Sequence, residues 1–229
     1  MSSLPTEPRA RVLLVNPNTN VSTTQMMRDY AAGALPEFDV VGVTAAQGPS
    51  MIVDPVALAE SVEHVIEAVR RARESGDIAA VIVAAIGDPG RRELDELLDV
   101  PVVGIGQACV LAASAGGRPF GMATSTPALA ESLGGLAAEH GGSARFVGVR
   151  LTTSEPLVLA ADPERQFEEL AEAVDACAGD GAEAVIIAGG PLSQTARRLA
   201  ERSATVIVEP IPSACTLLRQ RLTVGGSSR

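Results

Sequence analysis

Apolar residues in this chain fall into two alternating patterns. Short, nearly unbroken runs occur at Arg11-Val-Leu-Leu-Val15, Asp39 to Val43, Ile78 to Ile86, Val102 to Ile105, Pro119 to Ala123, Ala184 to Ala188 and Thr205 to Val208. Runs of this length, bounded by turn residues, predict strands buried on both faces. Between them the apolar positions recur at helical spacing, through Met26, Met27 and Tyr30, from Val56 to Arg73, and from Cys109 to Ser114. Strands alternating with helices predict an α/β protein with parallel sheets.

The pattern repeats. Val15 and Ala85 end strands 70 residues apart, and Ala123 and Gly189 occupy the matching positions 66 residues apart. Such near-equality predicts an internal duplication into two similar parallel-sheet lobes with a cleft between them. The expected division assigns residues 1–100 plus 206–229 to the first lobe and 101–205 to the second. In each half one strand runs into an Asn- or Thr-rich loop and a later buried strand runs into a Gly-Pro loop. Ligands of open α/β sheets bind at such strand ends, so four loops are expected to converge on one site. The tail Gly225-Gly-Ser-Ser-Arg229 has nothing to bury and is expected to fray.

Composition narrows the ligand. Aromatic residues make up 2% of the chain and Trp is absent, so there is no platform for stacking bases. A net charge of −10 opposes a phosphate backbone, and no nucleic-acid partner is expected. All 18 basic residues are Arg. Without lysine there is no Schiff base to pyridoxal phosphate, no lysine aldolase and no Walker-type phosphate lysine. Gly104-Ile-Gly106 lacks the third glycine of a dinucleotide fingerprint, so no nicotinamide cofactor is expected. Cys109, Cys177 and Cys215 lack metal-ligand spacing, only His64 and His140 could join them, and no metal site is expected. The N-terminal residues show no basic-then-apolar leader and no long apolar span follows, which predicts a cytoplasmic chain without a membrane partner.

Val15-Asn-Pro-Asn-Thr19, Gly48-Pro49-Ser50, Gly87-Asp-Pro-Gly90, Pro101-Val-Val-Gly-Ile-Gly106 and Gly121-Met-Ala-Thr124 occur in this order across nearly the whole chain. Together they resemble the aspartate/glutamate racemase superfamily, most closely its hydantoin and allantoin racemase branch. The resemblance implies two α/β lobes around a small acid or cyclic imide, no cofactor, and a homo-oligomer. It also implies one cysteine from each lobe trading a proton with the carbon next to a carbonyl. Here those positions are Ala85 and Gly190, and neither residue carries a proton. Gln107 departs too, where the related branch often has glutamate. The three existing cysteines fall in helical patterns and read as small buried hydrophobes.

Candidate substrate-binding residues follow from the four loops. Asn16, Asn18 and Thr19 supply neutral hydrogen-bonding groups at a helix start, suited to a carboxylate or imide. Thr124, Ser125 and Thr126 repeat this in the second lobe. Ala85, Ile86 and Gly87 in one lobe, and Gly189, Gly190 and Pro191 in the other, flank the vacated positions. Asp88, at the mouth of an apolar cleft, is a candidate proton carrier with a raised pKa, or simply part of an Asp-Pro-Gly turn. Glu209 is the second candidate catalytic carboxylate. Main-chain amides near Ser193 and Gln194 are candidates to stabilise an enolate. His64 and His140 read as surface or capping residues.

These residues predict a cofactor-independent enzyme for a small carboxylate or cyclic amide, with non-cysteine chemistry: isomerisation, ring closure, elimination or decarboxylation. The alternatives are a non-catalytic small-acid-binding protein on the same scaffold, and a racemase in which Cys109 or Cys215 reaches the cleft.

Overall fold

The computed structural model describes residues 9–226. The first half runs β1 (Arg11–Asn16), α1 (Val21–Ala34), β2 (Asp39–Thr44), α2 (Pro55–Arg73), β3 (Ala80–Val83), α3 (Arg91–Leu97), β4 (Val102–Gly104) and α4 (Ile105–Ala113). The second runs β5 (Phe120–Thr124), α5 (Ala130–Glu139), β6 (Phe146–Leu151), α6 (Pro156–Ala161), α7 (Pro163–Gly179), β7 (Ala184–Ile187), α8 (Ser193–Ala200), β8 (Val206–Val208) and α9 (Pro210–Gly226). The strands form two parallel sheets in the orders β2-β1-β3-β4 and β6-β5-β7-β8. The two orders are the same, as the internal duplication requires.

Local chemistry sets the helix starts. Asn20, Asp54 and Asp162 each accept a hydrogen bond from a main-chain amide three residues on, capping α1, α2 and α7. Pro55 and Pro163 supply the first-turn proline that lacks the unneeded donor. Central strands β1, β3, β5 and β7 are buried almost throughout, the state expected of a parallel sheet covered on both faces. Two apolar clusters flank the first sheet and two flank the second.

The helix α4 joins these cores. Its Ile105 and Ala108 pack with α1 and α9 in a first-lobe cluster, while its Cys109, Val110 and Ala113 pack with β5 and β7 in a second-lobe cluster. A helix apolar on nearly every side is what such a position demands.

Four expectations need correction. The proposed division put Val102–Gly104 in the second lobe, but β4 pairs with β3, Val102 opposite Val81, in the first sheet. The same division put 206–208 in the first lobe, but β8 pairs with β7, Val206 opposite Ala184, in the second. Both crossings between lobes therefore come after these strands, and it is α9 that returns to pack on α1 and α4. The strand expected over Ile78 to Ile86 pairs only over Ala80–Val83, because Ala84 to Gly87 leave the ladder for the cleft. Gly225 and Gly226, expected to fray, continue α9, and 227–229 lie outside the described residues. Among the described residues, no helix is long and apolar enough to cross a membrane.

Candidate active cleft

A cavity of about 290 Å³ lies between the lobes, bounded by the loops that follow β1, β3, β5 and β7 and by residues of α6 and α8. From the sequence-expected set, Asn18, Ala85, Ile86, Gly87, Thr124, Ser125, Thr126, Gly189, Gly190 and Pro191 line it. Asn16 and Thr19 do not, and they hold the loop instead.

In the first lobe an asparagine network fixes the geometry. Asn16 is buried, and its Nδ2 donates to Asn18 Oδ1 (2.8 Å), Thr24 Oγ1 (3.0 Å) and the Asn20 carbonyl (3.1 Å). Thr19 N–H donates to the Pro49 carbonyl at 3.1 Å, tying this loop to the one after β2. The Asn20 amide donates to Asn18 Oδ1 at 2.9 Å. A main-chain amide can only donate, so the orientation of the Asn18 side chain is fixed with its oxygen inward. Its Nδ2 takes no protein acceptor and is presented to the cavity as a donor.

The second lobe offers the opposite polarity. Thr124 Oγ1 donates to the Ala188 carbonyl at 2.8 Å and so spends its single hydrogen. In its 3.0 Å contact with Thr126 Oγ1, Thr126 must then be the donor. Thr126 Oγ1 therefore faces the cavity with lone pairs. Ser125, also lining the cavity, keeps a free hydroxyl.

No thiol lines the cavity among the described residues. Cys109, Cys177 and Cys215 are all buried in the cores, with 0%, 0% and 1% exposure. Burial pushes the Cys109 thiol far above its ordinary value, Cys177 up to about 11 and Cys215 up to about 12. Ala85 and Gly190 differ as hosts. An ideal Cβ on Gly190 would fall 2.7 Å from the Ala84 carbonyl oxygen and 2.8 Å from Met27 Sδ. Glycine is required there by the close approach of the two lobes.

The two candidate carboxylates sit outside the cavity lining. Asp88 is 9% exposed, has a left-handed φ of 49°, and turns away from the cleft mouth where the sequence placed it. Its Oδ1 accepts from Gly106 N–H at 2.8 Å and its Oδ2 from Gln107 N–H at 2.6 Å, the first amides of α4. Burial pushes its carboxyl up to about 7, against the pull of those two donors. Glu209 lies 3.5 Å from Arg197 Nη1 and likewise lines no part of the cavity. Ser193 donates to the Gly190 carbonyl at 2.7 Å, bracing that turn, whereas Gln194 does line the cavity.

The sequence reading missed the outer limb of the cleft. Met51 and Ile52 reach it from the loop after β2, Pro156 and Leu159 from α6, and Arg198 from α8. Only Arg198 among them is charged. Its signal was present as the Arg197-Arg198 pair, but nothing in the sequence distinguishes the two.

Two duplicated α/β lobes closing strand-end loops over a small cleft define a small-molecule site of the kind that open parallel sheets carry. The sequence profile of the Asp/Glu/hydantoin racemase family matches residues 12–218, and the chain belongs to that family. A hydantoin racemase from Paenarthrobacter aurescens is 26% identical over 217 residues, covering 94% of this chain and 92% of its own. The crystal structure of an allantoin racemase from Pseudomonas fluorescens, 26% identical, superposes with a TM-score of 0.85 over 94% of this chain and 92% of its own. A mutant of arylmalonate decarboxylase shares the fold, with 16% identity and a TM-score of 0.64 over 94% of each chain.

Proposed function

We propose that this protein is a cofactor-independent enzyme that binds a small cyclic amide, or a small carboxylate, and forms an enolate next to its carbonyl without a cysteine. The observation that carries this reading is that one cavity is lined both by Asn18, whose Nδ2 is a donor, and by Thr126, whose Oγ1 is an acceptor. A cyclic amide presents a carbonyl to the first and an N–H to the second. Relatives named for hydantoin and allantoin, both cyclic ureides, favour that class of ligand.

No carboxylate, imidazole or thiol lines the cavity among the described residues, so water carries the proton. A hydroxide ion from solvent removes the proton on the carbon beside the carbonyl and becomes water, the electron pair moves onto oxygen, and Asn18 Nδ2 stabilises that oxygen. Return of a proton from water to either face gives racemisation and regenerates hydroxide. One donor aimed at a developing oxyanion contributes about 3 kcal/mol.

Hydantoin, 5-substituted hydantoins, allantoin, aspartate and glutamate in deuterated water, followed by NMR, test the reading. The expected result is α-proton exchange in the cyclic ureides, slowed about 100-fold by Asn18→Ala. Replacing Cys109, Cys177 and Cys215 singly by Ala leaves it unchanged. Exchange that disappears with one of these cysteines while the fold persists by circular dichroism would sink the reading, as would binding without turnover, which marks a non-catalytic binder.

A second reading is decarboxylation. It is favoured by the same lack of an acid or base, since loss of carbon dioxide generates the enolate with no proton removed by the protein. Release of carbon dioxide from a malonate-type acid, with uptake of one solvent proton by the enolate, distinguishes it.

A further inference from the structure

We infer that the substrate carries, beyond the group held by the strand-end loops, an apolar arm ending in a carboxylate that Arg198 receives. This rests on the reading of the cleft given above, and it adds the shape and charge of the rest of the ligand.

Arg198 is the only charged residue lining the cavity among the described residues. Its guanidinium stands 4.4 Å from the Phe167 ring centroid, a stacking contact that holds the planar group in place before any ligand arrives. Nη2 donates to Glu164 Oε2 at 2.8 Å, while Nη1 and Nε have no protein acceptor. Glu164 is 75% exposed on its side chain, and the guanidinium holds it below the usual carboxylate range. Such a surface partner steadies Arg198 without using its remaining edge.

The neighbours leave that edge to a ligand. Gln166 Oε1 accepts from Thr195 Oγ1 at 2.5 Å, and Gln166 Nε2 donates to the Leu159 carbonyl at 3.4 Å. Gln166 and Thr195 are thus engaged with each other and with the main chain, while the Gln194 side chain, which also lines the cavity, is open to a ligand. The same cavity wall includes the apolar residues Pro156, Leu159, Ala160 and Leu192. An arm of methylene groups fits that wall, and a carboxylate fits two parallel N–H groups of the guanidinium. With a net charge of −10 the protein as a whole repels anions, so selection for the acid must be made at this contact.

The test uses two probe series on the intact chain, read by isothermal calorimetry. The first comprises hydantoins whose 5-substituent ends in a carboxylate or in the isosteric carboxamide, with arms of two, three and four carbons. The second comprises linear monocarboxylates and their amides. The expected result is about tenfold tighter binding of the acid than of the amide in at least one arm length. Arg198→Met, which keeps the stacked aliphatic stem, brings that ratio to one and leaves the amide's affinity unchanged; Arg198→Gln does the same.

Acid and amide binding alike to the native protein would overturn the inference, while hydantoin binding itself would leave the proposed function standing. Equal loss of both probes in Arg198→Met would overturn it as well. If no hydantoin binds but linear acids still require Arg198, the inference stands and the cyclic-amide reading falls. Failure of both series overturns both.

Discussion

Asp88 in the first lobe and Glu169 in the second each accept hydrogen bonds from two consecutive main-chain amides, yet their acidities move in opposite directions. Asp88 holds Gly106 and Gln107, and Glu169 holds Thr153 and Ser154 at 2.9 and 2.8 Å. Burial dominates at Asp88 and pushes it up to about 7. At Glu169 the Ser154 hydroxyl, at 2.5 Å, and Arg165, at 2.9 Å, add donors and charge, and hold the carboxyl down at about 2. A clasp of two main-chain amides, one on each oxygen of Asp88 and both on Oε2 of Glu169, is therefore not a fixed electrostatic unit. What surrounds it decides whether the proton is welcome.

A parallel contrast separates Ala85 from Gly190. Ala85 lines the cavity and is partly exposed, whereas Gly190 is buried with no room for a Cβ. The largest expected effect among substitutions tests this directly. Gly190→Cys should cost about 3 kcal/mol in denaturant unfolding, because the Ala84 carbonyl oxygen cannot move without shifting its strand. An unchanged midpoint would show that the two lobes yield more readily than their contact implies.

Next in size is Asp88→Ala, expected to lower stability by about 2 kcal/mol by leaving the first amides of α4 unpaired. Because α4 packs in both cores, the loss should appear in a single unfolding transition; a separate low-temperature transition of one lobe would break that expectation.

The pH dependence comes next. An acid whose folded pKa lies above its ordinary value of 3.8 contributes stability that is fully present below that value and lost as pH rises through about 7. Glu169, lowered from 4.5 to about 2, has the opposite sign: its contribution is present above 4.5 and lost as pH falls through about 2. Melting temperatures of Asp88→Asn and the native protein, compared from pH 4 to 8, should converge or cross as pH rises. A difference constant with pH would refute the raised acidity constant. The smallest effect belongs to Ala85→Cys, expected to change stability by less than about 0.5 kcal/mol, checked by the same unfolding midpoint.

The fold was legible because unbroken apolar runs such as Ala184 to Ala188 have few alternatives to a buried strand. Which sheet a run joins was less so. Val102–Gly104 and Val206–Val208 are three residues long, and nothing so short records its pairing partner. The loops that make the cleft were readable as turn chemistry after strands, and Asn18 and Thr126 emerged with them. Their roles as donor and acceptor were not, because each follows from where a neighbour spends its hydrogen. Asp88 misled for a similar reason: its partners lie 18 and 19 residues away at a helix start. Arg197 and Arg198 are adjacent in sequence, and only the rotation of α8 sends one to Glu209 and the other to the cleft.

The contact between Gly190 and the Ala84 carbonyl has a consequence for how this architecture can change. Main chain meets main chain there with no cushioning substituent, so the gauge of the cleft at its base is set by atoms that exchanging one side chain for another cannot trim. Divergence can reshape only the rim, through residues such as Leu159 and Arg198. New guests would be admitted at the doorway while the floor kept its dimensions.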